Sequence, residues 1–316
     1  MANMASSIVT PKRRALESVR KGVLDTPIRA LVYGAEKVGK STFAAGAPSP
    51  IFLGADDGTE RLNVERLQPS NWQEALEWIA ELANEKHEYK TLVVDPLNWL
   101  EPMCWAQVCT NMNVSGIEEP GFGKGYTAAL DLWRVFVAGL EKCWRVRGMH
   151  IVLVAHSQVK SFQNPEGAPY DRYELAMHAK AAGMFKQWVD AVLFARLETF
   201  TKLDKATQKS KGFSTGARIM HTQPSAAFDA GSRWKLPEDL PLSWQDFTDA
   251  IHAEGEKSAK LAAQIAEMLT ELDDAAVTKF AAPFVEKNKG NADRLAELAN
   301  RLSIKINDKK SKEQQS

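Results

Sequence analysis

From Ile28 to Tyr33 the chain runs through a β-rich apolar stretch that stops at Gly34, and within GKSTFAAGA the spacing changes to that of a helix. The opening pattern is therefore strand, glycine loop, helix. Pro50 to Gly54 predicts a second buried strand, which leads into the acidic turn ADDGTE, and Trp72 to Glu85 then carries apolar residues at helical spacing. Thr91 to Val94 predicts a third strand ending at Asp95, and HIVLVA, residues 150–155, predicts a central one followed by polar HSQ. AVLFARLE and ARIMHTQ suggest later strands, and this core closes near Ile251. Strands separated by helical stretches predict an α/β fold with a mostly parallel central sheet flanked by helices.

Two segments resist that pattern. Gly116 to Tyr126, GIEEPGFGKGY, holds too many glycines for a regular element and reads as a mobile surface loop. Lys160 to Tyr173, with Pro165, Gly167 and Pro169, reads as a second long loop. Beyond Gly255 the composition shifts to Ala, Leu, Glu and Lys, with Leu261, Ile265, Leu269 and Leu272 on one helical face. Asn288 to Gly290 interrupts this stretch, a further helix carries Leu295, Leu298 and Leu302, and the terminal KKSKEQQS reads as disordered. At the other end Thr10 and Pro11 suit the cap and first position of a short basic helix over residues 11–22. The expected organisation is a basic helical segment (1–23), an α/β core (24–252), a small helical appendage (256–304) and a tail (305–316).

Charge and cysteine content narrow the partners. Forty basic residues balance forty acidic ones among 316, so no global field draws in nucleic acid and any such contact needs a local patch or loops. Cys104, Cys109 and Cys143 lack the paired spacing of a zinc site or a disulfide framework, which fits a reducing cytoplasm. No run of about 18 apolar residues occurs, so the expectation is a protein neither secreted nor membrane-spanning. Histidines at positions 87, 150, 178, 221 and 252 show no metal-ligand spacing, and Trp78, Trp133, Trp144 and Trp188 sit among helical apolar residues as core candidates.

The chemistry concentrates after the first strand. Gly34-Ala35-Glu36-Lys37-Val38-Gly39-Lys40-Ser41, followed by Thr42, fits G-x-x-x-x-G-K-[ST] in its required strand-to-helix context. In such a loop, backbone N–H groups cradle phosphates, Lys40 reaches the β/γ-phosphates of ATP, and Ser41 ligates Mg²⁺. Asp95, at the end of an apolar strand, supplies the second magnesium anchor through water. A hydrolytic water needs an orienting carboxylate, for which Asp56 is the first candidate and Asp57 or Glu60 the alternatives. His156 or Gln158, just past the central strand, lies where open α/β sheets bind ligands and could sense the γ-phosphate.

Taken in order, GAEKVGKST, FLGADDGT, YKTLVVD, GFGKGY, VLVAHSQVKSF, PYDRYE and LPEDLPLSW resemble a bacteriophage family of RecA-core ATP-binding proteins of the AAA type, some grouped with single-strand annealing proteins. The likeness covers roughly residues 24–252. It implies a RecA-like P-loop NTPase core, homo-oligomers in a ring or filament with ATP between subunits, and hydrolysis coupled to action on single-stranded DNA in a bacterial host, alongside a single-stranded-DNA-binding protein. The family's glutamate after the second strand matches Asp56 here, one methylene shorter, which implies slow turnover. The family's DNA-lining loops match residues 116–126 and 160–182, making Lys124, Tyr126, Lys160, Phe162, Arg172 and Lys180 the implied DNA contacts. Arg233 in GSRWKLP matches the late basic residue that completes a neighbour's ATP site, with Lys235 and Arg218 as rivals.

Overall fold

A computed structural model describes residues 26–54, 59–204 and 209–313. The chain divides into two compact units, one of them Thr26–Ala253 and the other including everything from Glu254 onward.

The first unit is built on β1 (Arg29–Gly34), β2 (Pro50–Leu53), β3 (Glu65–Leu67), β4 (Thr91–Val94), β5 (His150–Phe162), β6 (Tyr170–Leu175), β7 (Ala191–Asp204), β8 (Lys209–His221), β9 (Gly231–Ser232) and β10 (Asp239–Pro241). They form one sheet in the order β10-β8-β7-β1-β5-β4-β2-β3, with β6 paired to β5 and β9 to β7. From β7 to β3 every pairing on this path is parallel, whereas β8, β10, β6 and β9 pair antiparallel. The expected mostly parallel α/β architecture is therefore the one observed. Its helices are α1 (Lys40–Ala45), α2 (Trp72–Asn84), α3 (Leu100–Met112), α4 (Lys124–Arg147) and α5 (Ala179–Trp188), and the first turns of α6 (Trp244–Leu272) also belong to it.

Strand alternation feeds two cores. Leu31, Tyr33, Leu53, Val94 and Leu153 face one side, where Trp72, Trp133, Phe136 and Phe185 of α2, α4 and α5 pack together. Their rings meet edge-on or stacked at centroid distances of 4.8–6.5 Å. Ala30, Val32, Phe52, Val93 and Val154 face the other side, against Phe43 of α1 and Trp244 and Phe247 of α6. Each strand therefore supplies apolar residues to both layers, which is why these strands read as continuous runs rather than alternating ones. Asn71 caps α2 through its side chain, accepting from the Glu74 N–H at 3.0 Å.

Three segments differ from the sequence expectation. Lys160–Tyr173 is no long loop: β5 continues past Ala155 to Phe162 and returns as β6, register running from Ser157↔Leu175 to Phe162↔Tyr170. The glycine-rich segment becomes regular from Lys124, where α4 begins, so Lys124 and Tyr126 sit on a helix. β7 and β8 likewise run beyond the apolar stretches that suggested them, pairing as far as Asp204↔Lys209.

In the second unit, the end of α6, α7 (Ala275–Lys287) and α8 (Ala292–Glu313) bury Ile265, Leu272, Ala281, Leu295, Leu298 and Leu302. The Asp274 side chain caps α7. α8 continues to Glu313, so residues 305–313 are helical where a disordered tail was expected. The basic helix expected over 11–22 lies outside the described residues.

Candidate functional site: a phosphate loop at the carboxyl edge of the sheet

β1 ends at Gly34, in register with His156 of β5 and Ala195 of β7, and the chain turns through residues 35–39 into α1. Val38 is buried and pins the loop to the core beneath. Gly39 adopts φ 110°, a backbone conformation that side-chain-bearing residues rarely take, so glycine is required where the loop becomes helix. No side chain caps α1 and no acidic residue occupies its first turn. The start of α1 thus keeps the electropositive character that suits phosphate.

Lys40 is 4% exposed, and its ammonium donates to the carbonyls of Gly34 (3.1 Å) and Ala35 (2.7 Å). Burial lowers its pKa to about 8, opposed by the attraction of Asp95 and Glu36. The loop therefore curls around a cation held just inside its rim. Ser41 and Thr42 follow on α1, half-buried and exposed.

Asp95 is buried directly after β4, and its N–H donates to the Leu53 carbonyl at 3.0 Å. A Cβ on Gly54 would lie 1.8 Å from the Asp95 carbonyl oxygen, so only glycine allows the ends of β2 and β4 to touch. The acidic turn of the sequence departs from this junction. Asp56 and Asp57 lie outside the described residues. Ser41 offers a hydroxyl and Asp95 a carboxylate, oxygen donors of the kind a hard dication takes, and Lys40 is close enough to that carboxylate to feel its charge.

His156 and Gln158 lie inside β5 rather than beyond its end, at the point where β5 leaves the sheet to pair with β6. The His156 N–H donates to Asn98 Oδ1 at 2.9 Å, and its register opposite Gly34 sets it beside the phosphate loop. The Gln158 side-chain amide donates to the Leu175 carbonyl at 2.9 Å, which commits it to the hairpin. Sequence reasoning did not single out Asn98, since nothing local marks it. Glu101 was missed for the same reason: it is buried, accepts the His178 N–H at the start of α5, and has a pKa raised by burial.

Arg233 sits at the other end of the sheet. Its N–H donates to the Asp190 carbonyl (2.9 Å) and its guanidinium pairs with the Asp190 carboxylate (3.1 Å). Asp190 itself accepts from Arg29, the first residue of β1, through Nε (3.1 Å) and Nη2 (2.8 Å). The five steps from Arg29 to Gly34 span about 16 Å at ~3.3 Å per residue. Arg233 and the phosphate loop thus occupy opposite edges of one chain.

The residues implied as DNA contacts divide into two groups. Lys124, Lys160 and Lys180 are exposed. Tyr126 stacks on His178 (4.4 Å, 8° between planes) and donates to Glu118. Arg172 pairs with Asp229 at 2.5 Å and lies over Phe162, whose ring also meets Tyr170. Lys160 lies near enough to Glu101 and His178 to influence both, and Lys180 near enough to influence His178, so two exposed lysines and the Tyr126 stack share a small region.

No helix among the described residues is long and apolar enough to cross a membrane. None of the curated proteins matches this chain. Among solved structures, that titled the RadB recombinase aligns with 62% of this chain and 80% of its own, at 15% identity and a TM-score of 0.36. The AAA domain family matches residues 26–234, a span that takes in the phosphate loop, Asp95, β5 with its hairpin, and Arg233. With well over half of its length matched, this chain belongs to the AAA domain family.

Proposed function

We propose that this chain is an ATPase that acts on single-stranded DNA as a head-to-tail homo-oligomer, in a bacteriophage recombination pathway of the annealing or strand-exchange type. The observation that carries the ATPase reading is the Lys40 cradle: a buried ammonium inside an uncapped loop-to-helix turn, within the field of Asp95. On this reading Lys40 exchanges its two carbonyl partners for phosphate oxygens, and loop N–H groups fix the phosphate chain. Ser41 and Asp95 hold Mg²⁺, which neutralises charge developing on the transferred phosphoryl group. Asp56 orients the attacking water and accepts its proton, and the short reach of aspartate makes turnover slow. Asn98 holds the β5 backbone at His156, so His156 rather than Gln158 is the residue through which the edge of the sheet responds to the nucleotide.

Exposed Lys124, Lys160 and Lys180 carry the DNA-binding part of the reading, with a single-stranded-DNA-binding protein as the accompanying partner. The test is the ATPase rate with and without single-stranded DNA, with Lys40→Ala as control. Hydrolysis stimulated by DNA and abolished in the variant supports the proposal. Nucleotide-gated assembly without turnover would favour a non-catalytic binding module, and strand displacement would favour a helicase or helicase loader.

A further inference from the structure

Arg218 lies on β8 opposite Leu197 of β7, next to a register shift between Leu197 and Thr199. Such an irregularity re-aims side chains relative to a regular ladder. The Arg218 backbone is fixed on both sides, because its carbonyl accepts the Leu242 N–H at 2.9 Å. Its side chain reaches across to the phosphate loop of the same chain. Nη1 lies 3.2 Å, and Cδ 3.3 Å, from the position that a Cβ on Gly39 would occupy, with Leu242 next to it at 3.6 Å. Among the described residues no carboxylate forms an ion pair with this guanidinium.

We infer that Arg218 is a nucleotide-positioning residue acting in cis, its guanidinium closing over the phosphate chain at Gly39, where the loop becomes α1. The inference rests on the ATP-binding reading and deepens it. The absence of a side chain at Gly39 serves two ends: it permits the positive φ and it leaves room for Arg218 to lie on the loop. A planar guanidinium offers several donors in a fixed fork and suits phosphate oxygens. Its exposure keeps it hydrated until a nucleotide arrives, whereas Lys40 is desolvated in advance. The two cations then share the work: Lys40 from the Gly34–Ala35 carbonyls, Arg218 from Gly39. The cis placement also separates Arg218 from Arg233, which cannot reach this loop within one chain.

The experiment measures ATP and ADP affinity of the full chain carrying Arg218→Met, Arg218→Lys or Lys40→Ala, alongside melting without nucleotide. Arg218→Met should weaken nucleotide binding about tenfold to a hundredfold, the range for one charge-assisted contact, with Arg218→Lys in between and the nucleotide-free melting temperature unchanged. Wild-type affinity in Arg218→Met overturns the inference, and so does a lowered nucleotide-free melting temperature that Arg218→Lys fails to restore. Absence of ATP binding by the wild-type chain sinks the underlying ATPase reading instead. Mixing separates cis from trans: Arg218→Met chains combined with Lys40→Ala chains should show no recovered hydrolysis, since every site then lacks one of its own cations. Recovery would place Arg218 across a subunit interface and overturn the cis assignment.

Discussion

Lys40 is a cation kept ready at some cost, because burial lowers its pKa from 10.5 to about 8. An anionic phosphate raises it again, so nucleotide binding takes up a proton once the pH passes about 8. The sign follows directly: affinity is full below pH 8 and falls as pH rises, by up to about tenfold per unit until the pKa of the bound state is reached. Calorimetric titration of ATP between pH 7 and 10 should show this decline, and proton uptake should vary with the ionisation heat of the buffer. A flat profile would mean that Lys40 stays charged in the free protein. The same residue was easy to find in the sequence, because its function needs a short contiguous pattern. Arg218 stood out only as a rival for completing a neighbour's site, and Asn98 not at all, since each reaches the site through pairing distant along the chain, 179 residues separating Arg218 from Gly39 and 58 separating Asn98 from His156.

Elements show the same division between local and long-range signals. β1, β2, β4 and α2 follow apolar runs or helical periodicity within a residue or two of expectation. The β5–β6 hairpin did not, because its residues after Ala155 are mostly polar and half-buried or exposed, and Val159, Phe162 and Leu175 show no sustained period-two alternation. Its turn residues Pro165, Gly167 and Pro169 then suggested a loop throughout. Where the ends of β2 and β4 touch, Gly54→Ala would force its Cβ into the Asp95 carbonyl. The strand ends must separate, and Asp95 moves with its backbone. We expect Mg²⁺-dependent turnover to fall at least tenfold, with smaller loss of nucleotide binding, and a raised Mg²⁺ requirement in steady-state assays. Unaltered Mg²⁺ dependence would remove Asp95 from the metal site.

The three exposed lysines stand on different elements: Lys124 on α4, Lys160 on β5 and Lys180 on α5. If they contact single strands, replacing all three with alanine should reduce the slope of log affinity against log salt by about 2, at roughly 0.7 per phosphate contact. DNA-free hydrolysis should stay at the wild-type rate, because none of the three belongs to the phosphate loop. A wild-type salt slope would move DNA binding elsewhere on the chain. Arg172, tied to Asp229 inside the fold, belongs to the hairpin's own support and should perturb stability when replaced.

For the whole molecule, if Arg233 completes a neighbour's site as proposed, its separation from the phosphate loop governs how copies combine. Asp190 already holds Arg29 by two side-chain bonds, so Arg233 can leave its partner without stranding a buried carboxylate. Arg233→Ala chains should lose hydrolysis while retaining ATP affinity. Mixed with Lys40→Ala chains they should regain part of it, since an intact phosphate loop can then meet an intact Arg233. No recovery at any mixing ratio would argue against completion in trans.

If Arg233 of one copy completes the phosphate loop of the next, as proposed, their placement on opposite edges of one chain also gives the assembly a direction. In the proposed head-to-tail arrangement the contact is heterologous and either closes into a ring or continues as a row. In an open row of n chains only n − 1 junctions are whole, and the last phosphate loop idles at one end while an unused Arg233 marks the other. The two ends are therefore chemically different, one able to capture nucleotide and the other not. Growth, release and any travel along a strand inherit that asymmetry.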